Sequence, residues 1–177
     1  KYKIEPSVEA LFYGVNSLWS KVWDAKNRPI FDHYMSHLHE NAEVLIRDGY
    51  TVDSNLLFNL LSDLSAKGLI SDKHPSTVAL LVKHAYNISK TDKRGWTLLH
   101  WAVFGKNIEV VQELLKRRVN TEALEKTGLK AKDLGNWTMN RPIIELLNPG
   151  IKATEILSNV KPEFFAKTIK KLNSVSE

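Results

Sequence analysis

His33, His37 and Glu40 are the residues whose types and spacing come nearest to a reactive site. Histidines four apart on a helix turn their imidazoles to one side, the spacing with which a helix offers two nitrogens to one zinc ion. At about 100° per residue Glu40 falls on that side too, and His39 lies in the same run, so a two-histidine, one-carboxylate set is geometrically available. The same wheel sets these three groups opposite Phe31, Leu38 and Leu45, where the solvated face of a surface helix belongs. The H-E-x-x-H base is missing as well. A polar face is therefore the favoured reading, and no metal or cofactor is assigned. The competing reading is a metal-dependent or enzymatic helical domain built on His33, His37 and Glu40.

Other chemistry has less to stand on. No Gly-rich phosphate loop, no G-x-S-x-G and no separated carboxylate pair in apolar surroundings occurs, so no catalytic residue is expected in this chain. The sequence contains no cysteine. That excludes disulfides, thiol catalysis and cysteine-held metals, and fits a cytoplasmic or other reducing compartment. With 43% hydrophobic and 25% charged residues, the composition is that of a globular protein and too apolar for a disordered tail. No run approaches the roughly 18 apolar residues of a membrane helix. The start, Lys1 to Pro6, has neither an initiator Met nor an apolar signal core, which suggests a segment of a larger protein.

The elements that must position these side chains read as helices. From Ser7 to Lys26, Val8, Leu11, Phe12, Val15, Leu18, Trp19, Val22 and Trp23 recur at helical spacing, and Ser7 can cap the start. A second helix opens at Pro29, carries Phe31, Tyr34, Met35, Leu38, Ala42, Leu45 and Ile46, and ends at Arg47 and Gly49. The short link between them predicts an antiparallel pair over residues 1–50. A third helix starts at Asp53 or Ser54 and runs to Gly68; a fourth starts at Pro75 and buries Val78, Leu81, Val82 and Ala85. Nothing reads as a strand.

From Asp92 the pattern changes. The string Asp92-Lys93-Arg94-Gly95-Trp96-Thr97-Leu98-Leu99-His100-Trp101-Ala102, followed by Asn107 to Val111 and Leu114-Leu115, resembles the ankyrin repeat, D-x-x-G-x-T-P-L-H-x-A then N-L-E-V-V then L-L. One period of about 33 residues later, Gly128, Asp133, Ile143, Ile144 and Leu147 fall in register. One period earlier only Val78, Leu81 and Val82 do. The resemblance covers a clear repeat at about 92–124, a fair one at about 125–148 and a degenerate one at about 56–91. Leu98 stands at the family's Pro, Lys106 at a usual Gly, and Arg118 at the Gly that closes the second helix in a left-handed conformation. An irregular turn is expected there.

This resemblance implies an all-α stack: an N-terminal helical pair over 1–50, ankyrin repeats over 51–148, and a helical cap over 149–177 carrying Ile151, Ile156, Leu157, Phe164, Phe165, Ile169 and Leu172. It gives Gly95, Thr97, His100 and Ala102 structural duties, with Thr97 and His100 tying turn to helix. It puts Trp96 and Phe104 on the concave side, Trp137 in register with Phe104, and Lys93, Arg94 and Lys126 at hairpin tips. Aromatic rings beside basic groups suit a protein-binding surface. Modules of this kind target or scaffold larger proteins, including effectors of intracellular bacteria acting in a host cell. An intramolecular spacer for a catalytic neighbour is the alternative. The net charge of +5 sits after residue 50, and 11 basic against 5 acidic residues lie between Lys83 and Lys132. That field would suit an acidic partner; without a nucleic-acid motif it does not point to DNA or RNA.

Overall fold

The computed structural model describes residues 28–67, 75–152 and 155, with side chains from 37 to 62 and from 77 onward. The expected helix over Ser7–Lys26, the cap beyond residue 152 and the side chain of His33 lie outside the described residues. The helices are α1 (Arg28–Arg47), α2 (Ser54–Lys67), α3 (Pro75–His84), α4 (Leu98–Phe104), α5 (Ile108–Lys116), α6 (Ala131–Thr138) and α7 (Arg141–Leu147). They form two rows. Helices α2, α4 and α6 pack in an inner row, and α1, α3, α5 and α7 in an outer one. Consecutive pairs α2–α3, α4–α5 and α6–α7 make antiparallel hairpins of helices, each with an apolar face it cannot bury by itself. Stacking buries those faces in one continuous core from Leu38 and Ala42 through Leu57, Leu81, Leu99 and Leu114 to Ile143.

The α1 helix is less separate than a terminal pair would be. It occupies a place in the outer row, with Leu38 and Ala42 in the shared core and His39 Nδ1 hydrogen-bonded at 3.1 Å to the Thr77 hydroxyl of α3. One expectation is corrected outright, for strands exist. Strands β1 (Val52–Asp53) and β2 (Ala85–Tyr86) pair in parallel, Val52 with Ala85 and Asp53 with Tyr86. Both pairs are one repeat apart, so the ladder is the repeat itself, expressed in backbone hydrogen bonds. Such short strands leave no alternation to detect. Tyr86 adds a bond from its hydroxyl to Asp53 Oδ2 at 2.9 Å.

The degenerate unit also acquires a physical account. Asn59, one period before Asp92, lies inside α2, so a helix runs through the place of a hairpin. The turns are more regular than their residues suggest. Lys106 and Arg118 adopt left-handed φ values of 58° and 54°. Each closes its helix with the paired hydrogen bonds of a Schellman motif, Lys106 to Val103 O with Asn107 to Ala102 O, and Arg118 to Leu115 O with Val119 to Leu114 O. The expected irregularity is thus a normal turn carrying the wrong residue for its backbone. Arg117 completes the join by donating from Nη1 to the carbonyls of Val82 at 2.5 Å and Ala85 at 2.6 Å, near the C-terminal end of α3.

Candidate functional site

The hairpin that presents Lys93 and Arg94 is built around Asp92. Its Oδ1 accepts the backbone N–H of Arg94 at 2.9 Å and of Trp96 at 2.8 Å, while Oδ2 accepts the indole N–H of Trp101 at 2.9 Å. The next hairpin repeats the device with a side chain one methylene longer. Glu125 Oε1 accepts the N–H of Thr127 at 2.7 Å and of Leu129 at 3.1 Å, together with the Thr127 hydroxyl. Glycines at the tips, Gly95 at φ 79° and Gly128 at φ 86°, supply the left-handed residue each turn requires. At Gly95 the space is also tight, because an added Cβ would stand 3.2 Å from the backbone nitrogen of Lys126. The two tips touch there, and Lys126 N–H donates to Arg94 O at 3.2 Å.

Thr97 and His100 join the turn to the start of α4. The Thr97 hydroxyl lies 2.8 Å from His100 Nδ1, and its backbone N–H donates to the same nitrogen at 3.2 Å. Across the junction, His100 Nε2 lies 3.1 Å from Leu129 O. The imidazole is therefore neutral with its proton on Nε2, and burial holds its pKa below the ordinary histidine value. One period on, Asp133 takes the local part of that role, accepting Lys130 N–H at 2.8 Å.

Lys93 and Lys126 are exposed at the tips. Arg94 is half-buried, with its guanidinium 5.8 Å from the centre of the Trp101 ring. Trp96 overturns its expectation of exposure on the concave side. It is buried, 3% exposed, because Trp101 at 4.5 Å, Phe104 at 5.5 Å and His100 at 6.0 Å surround it. Phe104 and Trp137 are half-buried and stack at 5.5 Å with 20° between their planes, joining α4 to α6. The six candidate residues thus form one contiguous region, with Trp96 as its support. Asp92, Glu125 and Trp101 are the members that sequence reasoning passed over. The signal was there for Glu125, which stands one period after Asp92.

Of the histidine run, the side chains from His37 onward are described. His37 and Glu40 are exposed, whereas His39 faces Thr77 and lies 3.6 Å from Glu43. Among the described residues no three His, Asp or Glu side chains gather as metal ligands, and no helix is long and apolar enough to cross a membrane. Residues 68–115 match the family model described as ankyrin repeats (many copies). No curated protein matches the chain.

Proposed function

We propose that the repeat stack, whose residues 68–115 match ankyrin repeats and so indicate a protein–protein interaction module, binds its partner through the hairpin tips and the adjoining inner-row surface. The observation that carries the reading is the continuity of Lys93 and Lys126 at the tips with the half-buried Phe104–Trp137 pair. Exposed cations beside rings held rigid by their neighbours make a surface of the kind that dominates protein recognition, since a stacked ring loses little freedom on binding. Lys93, Arg94, Phe104, Lys126 and Trp137 are its contacts, and Trp96 holds them in place. No reaction is assigned to the segment. It serves a larger protein by targeting or scaffolding, and the absence of cysteine fits a reducing compartment.

A capture experiment from cytosolic lysate tests this, comparing the unmutated protein with a Lys93→Glu, Trp137→Ala variant matched in melting temperature. A protein held by the first and lost by the second is the expected result. Equal retention by both would move the interface off this face. Failure to capture anything, in the isolated segment and in its parent chain alike, would refute recognition as its role.

A further inference from the structure

The hairpins are electrically one-sided. Their two acids point inward, Asp92 spending its carboxylate on three donors and Glu125 doing the same while only 7% exposed. Nearby Glu122 is engaged by Lys130 and Lys132, which hold its pKa below the usual carboxylate range. Lys93 and Lys126 are left with no ion pair among the described residues, on tips that touch where Lys126 N–H bonds to Arg94 O. Each of the two touching tips thus carries a cation without a counter-charge, and a partner that supplies carboxylates to both gains from each. Adjacent tips suit carboxylates a few residues apart on an extended chain, which advances about 3.3 Å per residue. On the adjoining inner row, the half-buried Phe104 and Trp137 offer an apolar contact.

We propose that the row of hairpin tips takes a short, extended acidic segment of a partner protein, with carboxylates on Lys93 and Lys126 and an apolar side chain beside Phe104 and Trp137. This rests on the recognition reading above and names its partner's chemistry. A nucleic acid fits less well. Two tip cations are a small field for a phosphate backbone.

The test uses fluorescence anisotropy with a short labelled peptide rich in Glu and Asp around one Leu, its Gln/Asn twin, and a single-stranded oligonucleotide of equal charge. The acidic peptide should bind, weaken as salt rises, and lose about tenfold in affinity to a Lys93→Glu, Lys126→Glu variant. Both lysines are exposed, so the variant should keep its melting temperature. Equal binding of the Gln/Asn twin, or no binding of the acidic peptide, would overturn the proposal, as would an oligonucleotide bound as tightly as the peptide. If lysate capture survives such a failure, recognition stands and only the acidic assignment falls.

Discussion

Asp92 and Glu125 hold equivalent turns, yet neutralising them should have unequal effects, because they distribute their acceptors differently. Asp92 uses both oxygens, Oδ1 for two backbone N–H groups and Oδ2 for the Trp101 indole. Asp92→Asn keeps one carbonyl oxygen. If that oxygen stays with the backbone, the new NH2 group faces the indole N–H and two donors oppose each other. Glu125 places all three bonds on Oε1, so Glu125→Gln can keep every one with its carbonyl. A hydrogen bond to a charged acceptor contributes roughly 1.5–3 kcal/mol, so Asp92→Asn should cost about 2–3 kcal/mol and Glu125→Gln less than about 1 kcal/mol. With a denaturant slope of roughly 1–3 kcal/mol/M in urea, the first change lowers the unfolding midpoint by about 1 M. Trp101→Phe removes the opposing N–H, and a double-mutant cycle with Asp92→Asn should show coupling of about 1 kcal/mol. Equal midpoint losses for the two neutral substitutions, or coupling near zero, would refute the reasoning.

Three further expectations concern stability. Burial lowers the His100 pKa against the raising effects of the Leu129 carbonyl, Glu125, Asp92 and Asp133, so the unfolded chain takes up this proton first on acidification. Its contribution is therefore complete above the ordinary histidine pKa of about 6.5 and is lost as pH falls below it, and urea titrations across that range should show a steeper acid decline than in His100→Gln. Gly95→Ala should cost more than Gly128→Ala, about 2 against about 1 kcal/mol, because only the first adds a crowded Cβ to an unfavourable φ; equal thermal shifts would contradict this. Lys106→Gly and Arg118→Gly should each raise stability by about 1 kcal/mol, since both residues sit in the left-handed region, and a lower melting temperature in either would count against the strain.

How much of this could be read beforehand depended on where each residue's partner lies. The run from Asp92 to Ala102 was legible because its bonds are local, as between Thr97 and His100. Trp96 was misplaced because its burial is decided by Trp101 and Phe104 together, rings whose orientation only the folded hairpin defines. Arg117 looked like any basic residue at a helix end, and its acceptors, Val82 O and Ala85 O, belong to the preceding unit. The helix through the missing hairpin around Asn59 was foreshadowed by the absence of Gly and Asp at the expected offsets, and its apolar spacing gave bounds within a residue or so of the observed Ser54–Lys67. The proposed recognition surface was only half legible. Lys93 and Lys126 announced themselves by register, while the consumption of Asp92 and Glu125 that leaves those cations uncompensated needed coordinates.

The three junctions of the stack are fastened unlike one another, and under tension that difference is felt joint by joint. The α1–α3 junction has the β1–β2 ladder with His39 on Thr77 and Tyr86 on Asp53. The α4–α5 to α6–α7 junction has His100 on Leu129 and Lys126 on Arg94. Between them, where a helix replaces the hairpin, the hydrogen bonds found among the described residues are those of Arg117 to Val82 and Ala85, added to apolar packing. Units that touch only their neighbours carry a pull in series. A force drawn along the stack therefore meets joints of unlike grain, with directional hydrogen bonds at the flanks and, in the middle, the most extensive helix-on-helix packing of the three, closed by a single guanidinium clasp.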